Sequence, residues 1–143
     1  MTTWEQVLEA VQTTLQGDRE RGRQLMDAAW AGTDDHAQRC VLAHYLADTE
    51  ESLDEEIAWD ERALAELPHL APDALAPIGI PSTAALAPSL HLNLGDGYAR
   101  RGDVVQAREQ LEQGRAAVGL LADDGYGDMI RRGLDGLAER LGR

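Results

Sequence analysis

Residues 89–103 read SLHLNLGDGYARRGD, and two readings of them lead to different folds. Leu90, Leu92 and Leu94 alternate with polar residues as in a half-buried strand, which would make Gly95-Asp96-Gly97 a turn suited to an ion or a phosphate. At helical spacing Leu90, Leu94 and Tyr98 fall instead on one face. The flanking sequence decides between the two.

Upstream, Trp4, Leu8, Val11 and Leu15 are spaced by four, three and four residues, one stripe of a helix. Gly17-Asp18 breaks and recaps the chain, and a second helix runs to about Trp30 with Leu25, Met26 and Ala29 inward. Asp34 or Asp35 caps a third helix through about Ala47, carrying Val41 and Tyr45. Ser52 or Asp54 opens a fourth, with Ile57, Leu64 and Leu67 on its apolar side. All five prolines then fall between Pro68 and Pro88, which predicts a long connection with at most a short helical turn or two. A fifth helix ends near Arg100, and Gly102-Asp103 makes a tight turn into a sixth that carries Val104, Ala107, Leu111 and Val118. Asp123-Asp124 caps a seventh, striped by Tyr126, Ile130, Gly133, Leu134, Leu137 and Leu141. Outside LHLNL no segment has a clean strand pattern, so the predicted class is all-α.

Helix pairs joined by short turns invite a test for internal periodicity. Leu94-Gly95, Tyr98, Gly102, Ala107 and Leu111 keep the spacing of a helix-turn-helix unit whose pattern is W-x2-L-G-x2-Y followed by A-x3-F and a final P. The segment resembles the tetratricopeptide repeat, with His91 in the place of tryptophan, Leu111 of phenylalanine and Gly119 of proline. The same phase recurs 34 residues apart in Val11 and Tyr45, Leu25 and Trp59, Ala29 and Ala63, and Trp30 and Leu64. Tyr98 follows Tyr45 by 53 residues, an excess of 19 that the proline-bearing connection accounts for. The resemblance implies an α-solenoid of about three antiparallel helix pairs, at 4–32, 35–67 and 88–121. Residues 68–88 are read as an insertion and 124–141 as a capping helix, all in a single domain spanning 1–143.

Composition removes several function classes. All thirteen basic residues are arginine and none is lysine, which excludes a P-loop lysine and a Schiff-base lysine and suggests a GC-rich bacterial source. The formal charge of −13 argues against nucleic acid and anionic membranes, because phosphate binding needs a basic footprint. Residues 1–67 carry sixteen acids against five arginines, clustered in DTEESLDEEIAWDE at 48–61, which reads as a solvated helix start. Cys40 is the one cysteine and is expected to be a core residue or part of a lining face. The opening residues lack a basic region followed by an apolar run, so a cytoplasmic location is expected.

Catalytic and metal motifs do not emerge. His44, His91, Asp96 and Tyr98 hold the raw material of acid-base chemistry, but H-E-x-x-H and Cys/His spacings are missing and no serine lies in G-x-S-x-G. Asp123 to Asp128 lacks the spacing of a calcium loop. The expectation is therefore a non-enzymatic protein without cofactor or metal. The repeat resemblance implies protein or peptide binding along the first helices, through His36, Arg39, Cys40, Leu92, Asn93, Asp96 and Arg100. Arg39, Asn93 and Arg100 would together suit a carboxylate. The alternatives are a small-molecule or short-peptide sensor with a pocket from Tyr45, Ile78, Ile80 and Leu92 under the insertion, and a self-assembling subunit or homodimer.

Overall fold

The computed structural model describes residues 1–142, and among them there are seven α-helices and no strand. The helices are α1 (Trp4–Leu15), α2 (Arg19–Ala31), α3 (His36–Ala47), α4 (Leu53–Glu66), α5 (Ala87–Arg101), α6 (Val104–Ala116) and α7 (Gly125–Arg140). No helix among the described residues is long and apolar enough to cross a membrane. The LHLNL stretch lies inside α5, so its alternation belongs to helix faces.

Local chemistry sets the boundaries. Thr3 and Gln6 form a capping box at α1, and Asp18, Asp35, Ser52 and Asp124 accept backbone N–H groups at the starts of α2, α3, α4 and α7. Asp103 stands at the start of α6 but makes no such bond; its carboxylate accepts from Arg101 Nε at 2.7 Å. Gly102 ends α5 at φ +91°, a left-handed conformation that costs glycine nothing, and the Asp103 N–H returns to the Tyr98 carbonyl at 2.9 Å.

The chain forms two compact units, the first Met1–Thr83 and the second beginning at Ala84, with the division inside the proline-bearing connection. In the first unit α1 pairs with α2 and α3 with α4. The first pair crosses where Gly22 meets Thr14: a Cβ on Gly22 would come within 2.0 Å of Thr14 Oγ1. The second pair is antiparallel, with His36 beside Glu66 at one end and Cys40 against Ala63 farther along. Helix α3 buries Ala37, Cys40, Val41, Leu42, Ala43, Leu46 and Ala47, so it is enclosed nearly all round. A buried polar chain ties the start of the protein to it: Thr2 Oγ1 donates to the Ala29 carbonyl, and Gln38 Nε2 donates to the Thr2 carbonyl.

Residues 67–86 contain three 3-10 turns, Leu67–His69, Ala76–Ile78 and Thr83–Leu86. The first lies against α3 and α4 and the second against α1. Thr83 closes the segment on itself, its N–H donating to the Pro72 carbonyl at 2.9 Å and its hydroxyl to the Ala71 carbonyl at 3.1 Å.

In the second unit α5 and α6 pair antiparallel and α7 packs on both. Three leucines settle over three glycines. The site where a Cβ would stand on Gly95 is 2.9 Å from Leu137 Cδ2, that on Gly114 is 2.9 Å from Leu134 Cδ2, and that on Gly133 is 2.5 Å from Leu92 Cδ2. Leu111, Leu121, Ile130, Leu134 and Leu137 form the buried cluster between these helices, with Leu92 packed at its edge.

Candidate functional site

The three sequence-derived residues of the first unit lie on α3, and each is held differently. His36, in the first turn after the Asp35 cap, places Nδ1 2.5 Å from Glu66 Oε2 and stacks on His69 at 4.7 Å with ring planes 21° apart. Its side chain is 54% exposed, which leaves it accessible. Nearly parallel imidazoles direct their lone pairs in parallel planes, so both rings cannot take one ion in this arrangement. Among the described residues no group of three or more His, Cys, Asp or Glu side chains could hold a metal.

Arg39 is committed to its surroundings. Its Nε donates to the Thr33 carbonyl at 2.9 Å, another guanidinium nitrogen lies 3.5 Å from Asp34, and its guanidinium carbon stands 4.9 Å from the Trp30 ring. Trp30 in turn meets Trp59 edge to face at 5.0 Å, and Arg62 covers Trp59 at 4.5 Å. This ladder of cations and rings fastens α2, α3 and α4 together.

Cys40 is the core residue that its helical pattern suggests and not the lining residue that the repeat resemblance implies. Its side chain is wholly buried and Sγ donates to the Ala63 carbonyl at 3.3 Å. Burial, reinforced by the charge of Glu66, pushes its thiol up to about 12, so it is neither an accessible contact nor a nucleophile at neutral pH.

The acidic stretch at 48–61 is more organised than a solvated helix start. Asp54, Glu55 and Glu56 do occupy the first turn of α4, but Glu50 accepts from Arg23 and, at 3.2 Å, from Trp59 Nε1. A hydrogen bond with Glu55 holds Glu50 below the ordinary carboxylate range, helped by Arg23 and Trp59, and the same bond raises Glu55.

In the second unit two of the α5 residues, Leu92 and Asp96, meet α7. Leu92, half-buried, packs on Gly133. Asp96 accepts from Arg100 Nε at 2.9 Å, one turn along α5, and from Arg140 of α7 at 2.7 Å. Asn93 is half-buried on the same helix. The expected carboxylate clamp thus finds Arg39 and Arg100 already bound to groups of this chain, and Asp96 is the carboxylate that Arg100 holds.

His91 and Tyr98 lie in the packing of the second unit, and His44 in that of the first. His91 Nδ1 is 2.8 Å from Gln110 Oε1 in the α5–α6 contact, and Tyr98 is buried beneath Arg101 at 5.5 Å. Loss of water around its ring pushes His44 down to about 4, so it is neutral at pH 7.

Two features escaped the sequence reading. One is the grouping of His36, Glu66 and His69, for which the E-x-x-H spacing at 66–69 was the available signal. The other is an open groove of about 600 Å³ between α6 and α7, lined by Leu111, Ala138 and Leu141 with Arg108, Arg115 and Asp135 among its charged neighbours. Arg108 and Arg115 are seven apart on α6, a spacing that places them on one side. Arg108 donates to the Leu141 carbonyl at 2.8 Å and Arg115 to Asp135 at 3.3 Å. No family model, curated protein or solved structure matches the chain.

Proposed function

We propose that the protein is a non-enzymatic binding module of tetratricopeptide-like helix pairs that holds a protein or peptide segment against its first helices. The observation that carries this reading is the pairing of consecutive helices three times along the chain, α1 with α2, α3 with α4 and α5 with α6. A glycine lies at the close approach of two of these pairs, Gly22 at Thr14 and Gly95 against Ala107 and Gln110, and in the other Cys40 bonds to the Ala63 carbonyl. A scaffold of repeated pairs presents helix faces without building a catalytic cleft, and such faces serve recognition.

Selection of a displayed peptide library on the full chain tests it. Enrichment of sequences sharing a motif, with binding weakened by His36→Ala or Arg100→Ala in a folded variant, is the expected result. Enrichment no greater than on an unrelated helical bundle would sink the reading.

A second reading, self-association, is favoured by Val104 and Val105 at the start of α6, which are 42% and 73% exposed. Light scattering at increasing concentration separates the two, since a binding module alone stays monomeric.

A further inference from the structure

One side chain of the proline-bearing connection is treated unlike those around it. Leu75 is wholly buried, whereas Ala71, Pro72, Asp73, Ala76, Pro77 and Gly79 are exposed. The turn that follows Leu75, Ala76–Ile78, lies against α1. The backbone hydrogen bonds described for this stretch are all local: Ala74 to Ala71, Ala76 to Asp73, Ile78 and Ile80 to Leu75, Gly79 to Ala76, and Thr83 to Pro72. These bonds are internal to the loop, which is fastened to the helices chiefly by apolar burial, with Leu75 as its deepest anchor. An element held that way can leave and return as a unit.

We propose that the site beneath Leu75 is a peptide-anchor site of the first unit, filled in this state by the chain's own loop as a tethered stand-in ligand. The partner that replaces it is a turn-forming protein segment with an aliphatic anchor followed closely by proline, the chemistry of Leu75-Ala76-Pro77. The occupant's character follows from the surface. A helix face offers an incoming strand few backbone partners, so a segment that lacks one N–H at proline and satisfies others in a 3-10 turn docks at least cost. This inference rests on the binding-module reading and specifies its ligand.

The test is fluorescence anisotropy with a labelled synthetic peptide of residues 71–83, titrated with the full chain. A closed loop lowers the apparent affinity by its open fraction, so Leu75→Ala is expected to bind the peptide at least about tenfold more tightly than the wild type. A peptide whose own leucine is alanine should not bind. Equal affinity for wild type and variant, or no binding to a folded L75A, overturns the proposal. Should L75A lose its helical circular dichroism, the decision passes to Thr83→Val, which keeps the anchor and removes the hydroxyl bond to Ala71. There, tighter binding than wild type supports the proposal and unchanged binding overturns it. Library peptides that bind wild type and L75A equally would leave the binding-module reading standing while removing this one.

Discussion

Leu137 of α7 rests over Gly95 of α5 so closely that a Cβ at position 95 would stand 2.9 Å from Leu137 Cδ2 and 3.3 Å from Gln110 Cβ. One glycine therefore serves two contacts, the pairing of α5 with α6 and the seating of α7.

Gly95→Ala should lower stability by about 1–3 kcal/mol, because the added methyl must displace packed atoms on two sides. Gly136 lies in the interior of α7 with nothing within 4 Å of its Cβ position, so Gly136→Ala should raise stability by about 0.5–1 kcal/mol. Urea denaturation of the two variants checks both signs, and a stabilised G95A would refute the close contact.

Cys40 should resist thiol reagents in the native state. Its thiol sits at about 12 and is wholly buried, so labelling at pH 8 must wait for opening of the α3–α4 pair. The labelling rate should rise in parallel with unfolding as urea is added. Rapid stoichiometric labelling without denaturant would contradict the burial.

His44 makes stability depend on mild acid. Its folded pKa of about 4 lies below the ordinary value of 6.5, so between these the unfolded chain takes up a proton that the folded chain refuses. Stability should be unaffected by His44 above pH 6.5, fall as pH drops through that window, and level off for this group below about 4. The loss is on the order of 3 kcal/mol. His44→Gln should flatten that part of the melting profile, and an unchanged profile would assign the pH dependence to other groups.

Asp96→Asn removes the charge shared by Arg100 and Arg140 at a site where all three side chains are at least 32% exposed. Stability should fall by less than about 1 kcal/mol, and less at high salt. Melting temperatures at two ionic strengths measure this. A loss of partner binding without a matching loss of stability would place Asp96 in recognition.

The helices were legible because their stripes, caps and glycine turns are local signals. The fit at Gly95 could also be read, since a small residue at that spacing has one economical use. Faces were harder. On α3 nearly every position is buried, so periodicity gives no outward side, and Cys40, one turn after His36, was assigned to a surface it does not reach. Arg39 looked available because its partners are a backbone carbonyl and the Trp30 ring, neither of which charge patterning reveals. In the connection, Leu75 had no mark in the sequence to separate it from Leu70, Ile78 or Ile80. Its burial comes from how the turns fold back on α1.

The two bonds from Thr83 to Ala71 and Pro72 bring together chain positions eleven and twelve residues apart. What lies between them is a detour pinned at Leu75: the two ends are fixed by Thr83, and the residues beyond Leu75 carry less of the packing. Gly79, exposed and beyond Leu75, offers a place to splice a reporter sequence into the protein.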